Sequence, residues 1–214
     1  MNIDLVVVSN GRSPELIDMT QRCIDSFHRT TKTICHVVCV EKYPIGYAGA
    51  TVVNQPEPFC YNKCLNEGYK YTDARWICFA NNDVIFMEGW DDIIHYGYDS
   101  VSPLNPGWFL HTEPDSGAKE GYEIGKHVCG WCLVVKRSVM EKIGGFPEGV
   151  DFFYSDNLYA DVLRYHGIKH ALVTNCRVSH KPSTTLYGSS EFEYFVGTVQ
   201  ENKYKKAKEK WTKY

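Results

Sequence analysis

No stretch of this 214-residue chain is apolar for long enough to cross a bilayer, which takes about 20 consecutive residues as a helix. A secretory leader is not expected either. Met1-Asn2-Ile3-Asp4 has no basic start, and the apolar run Leu5–Val8 is too short for a leader's apolar centre. An excess of charge of one sign is also missing. Lys and Arg total 23 against 26 Asp and Glu, a formal net charge of −3, so whole-chain charge carries no footprint for nucleic acid or membrane. No internal repeat and no linker interrupts the sequence, and its length suits one domain with a full core. Disulfides are not expected. The nine cysteines are odd in number, no leader precedes them, and Cys39, Cys78 and Cys132 lie inside apolar, strand-like runs. They read as reduced, mostly buried thiols of a cytoplasmic protein. Cys129-x-x-Cys132 is a lone pair, and a structural zinc needs four ligands. What is plentiful is aromatic surface: 14% of residues, with 15 tyrosines that offer both a stacking face and a hydroxyl.

The pattern alternates strand and helix. Ile3–Val8 is a short apolar run closed by Ser9-Asn10-Gly11, a strand ending in a turn. Ser13-Pro14 reads as N-cap and first helical position, and Leu16, Met19, Cys23 and Phe27 follow as an apolar stripe. Ile34–Val40 predicts a second buried strand, 41–57 a loop, Phe59–Tyr71 a helix and Trp76–Ala80 another strand. Gly89–Tyr98 predicts a short helix and Val101 a short strand. Residues 103–125, rich in Gly, Pro and acids, read as a long mobile loop of the kind that serves as a lid. Val128–Val135 predicts a strand, Ser138–Ile143 a helix stopped by Gly144-Gly145, Ser155–His166 a helix, Ile168–Val173 a strand and Phe192–Trp211 a terminal helix. Repeated strand–helix units imply an α/β fold with a mostly parallel central sheet and helices on both faces. Ligands bind such sheets beyond the carboxyl ends of the strands.

Phe79-Ala80-Asn81-Asn82-Asp83-Val84 puts a carboxylate at that edge. A departing diphosphate needs its charge neutralised, and a divalent cation held by a carboxylate does that. A turn closed by Asn and Asp side chains is the competing reading.

The later motifs bear on that choice. Gly144-Gly145-Phe146-Pro147-Glu148 is followed by Phe153-Tyr154-Ser155-Asp156, then Leu163-Arg164-x-x-Gly167-Ile168, then Val178-Ser179-His180. With Gly130-Trp131-Cys132 before them and Phe59-x-Tyr61-Asn62-x-x-x-Asn66-x-Gly68 upstream, the chain resembles the inverting GT-A glycosyltransferases over roughly residues 3–185. Small stand-alone members of that group, bacteriophage ones included, have this look. The resemblance implies a GT-A (Rossmann-like nucleotide-diphospho-sugar transferase) fold in one domain over 1–214. Its donor-binding half would be about 1–100 and its acceptor half about 101–185, with a Lys-rich helix at about 190–214. It implies that Asp83 and His180 hold Mn2+ or Mg2+, with Asn81 in place of the first Asp of an Asp-x-Asp triplet. It implies that Asp156 is the general base, with Ser155 where a Glu usually stands. An Asp156 that only caps a helix is the alternative.

Ser9, Asn10 and Glu41 at strand ends, with Arg12, Asn62, Asn81 and Asn82, are the candidates for holding the nucleotide-sugar, a UDP-sugar being the expected donor. Glu41 reads equally as an acceptor for ribose or base donors and as a solvated loop acid. Gly130 and Trp131 are the candidates for letting a sugar or acceptor approach, Trp131 as a stacking platform or as a core residue. The expected acceptor is a glycan hydroxyl or a hydroxylated modified base in phage DNA. The lysines at 203, 205, 206, 208, 210 and 213 read as a solvated helix face or as phosphate contacts. A nucleotidyltransferase and a non-catalytic sugar-nucleotide binder remain as rivals. A membrane partner is not expected, and the location is expected to be the cytoplasm, the host's for a phage protein.

Overall fold

A computed structural model of the chain describes residues 2–112, 116–181 and 195–213. Its strands are β1 (Ile3–Ser9), β2 (Val37–Glu41), β3 (Thr51–Asn54), β4 (Trp76–Asn81), β5 (Val84–Phe86), β6 (Ser100–Leu104), β7 (Ala118–Glu120), β8 (Cys132–Lys136) and β9 (His170–His180). Its α-helices are α1 (Pro14–Thr30), α2 (Tyr61–Tyr69), α3 (Arg137–Ile143), α4 (Ser155–Tyr165) and α5 (Glu201–Trp211), with a 3-10 helix over Trp90–His95. One mixed sheet runs β3-β2-β1-β4-β8-β6-β9-β5, with β7 also on β9. β3, β2, β1 and β4 are mutually parallel, as are β6 and β9, while β8 runs against both its neighbours.

Alternation along the strands assigns the two faces. Leu5, Val7, Cys39, Cys78 and Ala80 meet Cys23, Ile24 and Phe27 of α1. Val6, Val38, Ile77 and Phe79 meet Cys64 and Leu65 of α2, Met140 of α3 and Tyr159 of α4. Burial on both faces is why these strands read as continuous apolar runs. Phe27 packs against Phe86 and Trp90 with ring centroids 5.2 and 5.4 Å away, and its loss is worth roughly 3–5 kcal/mol. α2 lies directly on β1, because a Cβ on Gly68 would come within 2.4 Å of Val6 Cγ1.

Ser13 caps α1 and Pro14 opens it, as the sequence predicts. Its buried stripe is shifted, however, to Thr20, Cys23, Ile24 and Phe27, leaving Leu16 and Met19 half-buried. The cause is polar: Thr20 Oγ1 turns inward to meet Ser9 Oγ at 2.9 Å. The expected loop at 41–57 contains β3, an edge strand too short to show alternation. The expected loop at 103–125 is shortened at its start by β6 and interrupted by β7. The expected strand at Ile168–Val173 runs on to His180. It leaves its pairing with β6 through an irregularity near Pro103 and Leu104 and takes up β5 instead. All nine cysteines are free, and only Cys35 and Cys60 reach partial exposure. Cys132 Sγ lies 3.7 Å from Cys78 Sγ, in the core rather than in a metal site. No helix among the described residues is long and apolar enough to cross a membrane.

Candidate active site

Strand register gathers the sequence-selected residues at one edge of the sheet. Ser9 pairs with Glu41, and Val8 with Asn81. The antiparallel β4–β8 pairing extends until Asn81 N donates to Trp131 O at 2.9 Å, which puts Gly130 and Trp131 beside the Asn-Asn-Asp triplet. The β5–β9 pairing matches Val84 with His180, so Asp83 lies next to a histidine 97 positions later in the chain. A cleft of about 200 Å3 opens there, lined among others by Tyr61, Asn81, Gly130, Trp131, Asp156 and His180.

Asp83 and His180 face each other with Nε2 3.3 Å from Oδ1, but not in hydrogen-bond alignment. Asp83 Oδ1 and both ring nitrogens of His180 are buried without a hydrogen-bond partner. Three orphaned polar atoms in one spot are rare in a native fold and need an explanation. A hard divalent cation is one, since an imidazole nitrogen and a carboxylate oxygen are both suitable donors. No group of three or more His, Cys, Asp and Glu is gathered for a metal among the described residues. A cation here would take two protein ligands and leave its other positions to water and substrate oxygens, the usual arrangement where a metal works on phosphates. The imidazole is held on one face, and the backbone that carries it is tied separately. Trp131 stacks on the ring with centroids 5.1 Å apart and planes 6° from parallel, and Asn105 Nδ2 donates to His180 O at 2.8 Å. One face of Trp131 is therefore occupied, which narrows its use as a platform for a sugar. Asn105 was not legible as a site neighbour, since a lone Asn before Pro106 reads only as a turn.

Asp156 stands in the first turn of α4, whose N-cap position belongs to Tyr154. Asp156 Oδ1 accepts one bond, from Asn157 N at 3.0 Å. That is not the bond of a capping residue, so the carboxylate is largely uncommitted. Burial pushes its pKa above the ordinary value, and its backbone hydrogen bonds only partly offset that. Gly130 is what allows the carboxylate in. A Cβ on Gly130 would sit 3.0 Å from both Asp156 Cβ and Oδ2. Any other residue there would push against the acid.

Glu41 is the opposite case. It is buried, not a solvated loop acid. Oε1 accepts from Gly11 N and Tyr43 N, each at 3.0 Å, and Oε2 from Tyr47 OH at 2.8 Å. Burial raises its pKa, but the bonds from Gly11, Tyr43 and Tyr47, with the Ser9 hydroxyl close by, outweigh this and hold it below the usual carboxylate range. Ser9 is tied into the same network through Tyr47 OH at 3.1 Å. Asn82 Nδ2 donates to Thr20 Oγ1 at 2.9 Å, and Asn81 Oδ1 accepts from Tyr61 OH at 2.7 Å. Asn62 Nδ2 donates to Pro147 O at 2.7 Å, while Asn66 clasps Phe146 through both its amide atoms. One face of α2 thus clamps the Gly-Gly-Phe turn, which is the local reason for that asparagine spacing. Asn10 and Arg12 stand exposed just beyond β1.

The Lys-rich tail divides. Lys203 and Lys208 pair with Asp151 and Asp161 of the body, at 2.6 and 2.9 Å. Lys205 and Lys213 pair along the tail, with Glu201 and Glu209. The part of the expected terminal helix before Phe195 lies outside the described residues.

No family model matches the chain, and no curated protein matches it. Among solved structures, one it is similar to is the crystal structure of GalNAc-T7 with UDP, GalNAc and Mn2+. The TM-score is 0.67 at 12% identity, over 95% of this chain and 50% of that one. The chain thus spans about half the length of that structure, and at this identity the likeness is one of fold. The shared architecture identifies the chain's fold as that of the GT-A glycosyltransferases.

Proposed function

We propose that the chain is a metal-dependent inverting glycosyltransferase, acting as one domain, that moves a sugar from a nucleotide-sugar to an acceptor hydroxyl. The observation that carries this is two groups of side chains at one cleft. The first is Asp83 and His180, with three orphaned buried atoms. The second is Asp156, a desolvated and nearly uncommitted carboxylate, in a cleft that His180 also lines. A divalent cation held by Asp83 and His180 would supply charge neutralisation for the departing diphosphate. Asp156 accepts the proton of the acceptor hydroxyl, whose oxygen bonds to the anomeric carbon as the sugar–phosphate bond breaks on the opposite face. The donor is a UDP-sugar, in keeping with the UDP bound in the similar structure. Ser9, Asn10, Arg12, Glu41, Asn62, Asn81 and Asn82 shape its site. Glu41 and Asn62 do so from behind, because their polar atoms are engaged by the protein.

A nucleotidyltransferase would need backbone N–H groups free after β1 to cradle phosphates. Gly11 N is already committed to Glu41. The acceptor is a glycan hydroxyl, with a hydroxylated base in DNA as the second candidate. The lysines that would track phosphates are largely paired with acids, which favours the glycan.

The test is thermal stabilisation by a panel of nucleotide-sugars with and without Mn2+, followed by donor turnover with the best of them. A donor at about 100 times its Kd should add roughly 2.7 kcal/mol of stability, and only with metal present. Turnover should release the nucleoside diphosphate. Metal-independent binding, or release of pyrophosphate instead, would exclude the proposal.

A further inference from the structure

The helix α5 is polar overall, yet it is docked. Gln200, Lys203, Tyr204, Ala207 and Trp211 recur at three- and four-residue spacing and share one face. That face lies against residues 148–161, the segment that builds the Asp156 wall of the cleft. Gln200 Nε2 donates to Asp151 Oδ2 at 2.8 Å, and Lys203 Nζ reaches the same oxygen at 2.6 Å. Trp211 Nε1 donates to Glu148 O at 3.0 Å. Ala207 lies so close to Gly149 that a Cβ there would meet its methyl at 2.8 Å. On the far side Tyr204 OH donates to Asp161, which also receives Lys208 Nζ at 2.9 Å. Two anchors therefore bracket the turn that leads into α4.

Between those anchors the ring of Tyr204 stacks on Tyr154, with centroids 5.2 Å apart and planes 14° from parallel. Tyr154 is the only non-glycine among the described residues with positive φ, 67°. A side chain disfavours that left-handed conformation, and it persists only where the surroundings impose it. Tyr154 occupies the N-cap position of α4 without a side-chain cap bond. Ser155 closes the turn across it by donating to Phe152 O from its N, at 3.4 Å, and from its Oγ, and the Tyr204 ring supports that turn from outside the helix start. Two residues on stands Asp156, packed on Gly130 at the limit of contact.

We propose that α5 is a positioning strut for the proton-accepting wall: Tyr204, by stacking on Tyr154, holds the left-handed turn that aims Asp156 into the cleft. The proposal rests on the transferase reading for its catalytic consequence, but not for its mechanics. Tyr204 touches no reacting atom. It is a positioning residue that acts through Tyr154, and Asp151 and Asp161 are the points on which the strut stands. The remaining tail charges on Lys205 and Lys213 take no part, since they pair only within the tail.

Tyr204→Leu removes the ring and the hydroxyl, and Tyr204→Phe removes the hydroxyl alone. Three quantities are measured on the full chain. These are kcat and KM for donor turnover, the affinity for UDP with Mn2+ by calorimetry, and amide hydrogen exchange over 152–157 and 178–180. Tyr204→Leu should lower kcat by about 10–100-fold, as displacement of a reacting group by about 1 Å does. KM for the donor and UDP affinity should hold. Exchange over 152–157 should speed while 178–180 stays protected. Tyr204→Phe should restore most of kcat. If Tyr204→Leu is not recovered folded, Lys203→Met unpins Asp151 and should show the same signature at smaller size. Unchanged exchange over 152–157 with wild-type kcat would overturn the strut, as would a loss spread equally over kcat and UDP affinity. If no nucleotide-sugar turns over at all, the transferase reading fails by itself. The strut is then decided by exchange alone, where faster exchange confined to 152–157 supports it.

Discussion

Glu41 and Asp156 are both carboxylates at the rim of the same sheet, and their surroundings differ in kind. Glu41, at the end of β2, receives three protein hydrogen bonds, and its pKa is drawn down. Asp156, in the first turn of α4, receives one, from the next residue's N–H, and its pKa is pushed up. A saturated acid has no free lone pairs for a substrate proton. It fixes the loop that reaches it. A desolvated acid with spare lone pairs and an open cleft before it is a better proton acceptor than an ordinary carboxylate. The same residue chemistry thus separates into a saturated acid and an uncommitted one according to how many donors the fold aims at it. Asp83 is intermediate: one oxygen is buried and orphaned, and the imidazole of His180 lies 3.3 Å from it.

The comparison breaks most sharply at Asp156. Asp156→Asn keeps the shape and the bond from Asn157 but removes the proton acceptor. Turnover should fall by about 10²–10⁴-fold, with affinity for UDP and Mn2+ retained. The wild-type rate should rise with pH through the raised Asp156 pKa, because the acid must be ionised to work. Stability should move the other way from activity. A raised folded-state pKa means that the ionised form is disfavoured by folding. Asp156→Asn should therefore melt no lower than wild type at neutral pH, and higher if burial dominates. Near-normal transfer by Asp156→Asn would leave Asp156 as a structural acid like Glu41.

On the wall formed by Asp83 and His180, Asp83→Ala should abolish the Mn2+-dependent part of donor binding. His180→Ala should weaken it less, by about 10–100-fold, an extent comparable to the loss of a supporting group around a metal. Calorimetry of UDP with and without Mn2+ reads both. Equal donor affinity with and without metal in wild type would remove the ion from the account.

How far the sequence foretold this depends on the kind of residue. Asp83 and His180 could be singled out because Asp83 follows β4 and His180 ends β9, at the edge where such sheets meet ligands, and because their motifs stand in an order that resembles the GT-A glycosyltransferases. Their mutual contact was not legible, since it depends on the β5–β9 register. The fold class followed from the alternation of apolar runs. Glu41 could not be resolved, because its three donors come from Gly11, Tyr43 and Tyr47, and no local pattern shows that these converge. β3 was hidden by its four-residue length. The docking of α5 was masked by composition. Its lysines suggest a solvated face, while the inward stripe is carried by Tyr204, Ala207 and Trp211, with Lys203 and Lys208 reaching acids on the body.

The smallest expected effect sharpens the comparison through pH. Glu41→Gln leaves one oxygen to accept from Gly11 and Tyr43 but turns an amide group toward Tyr47 OH, which must then stop donating there. Losing the charge-assisted share of this network should destabilise the fold by roughly 1–3 kcal/mol. The pH dependence follows from the lowered folded-state pKa. The contribution of Glu41 is fully present above the unfolded value, ~4.3, and is lost as pH falls through the folded value. The gap between wild type and Glu41→Gln should therefore be widest at neutral pH and shrink below about pH 4. For Asp156→Asn the sign is reversed. Any stabilisation it brings should grow as pH rises from the unfolded value, ~3.9, be complete above the raised folded pKa, and vanish in acid. Denaturant melts of the three proteins at neutral and acid pH read both gaps. Opposite signs at neutral pH, converging in acid, would separate the scaffold acid from the reactive one without any substrate. Gaps of the same sign would mean that the two carboxylates differ only in location.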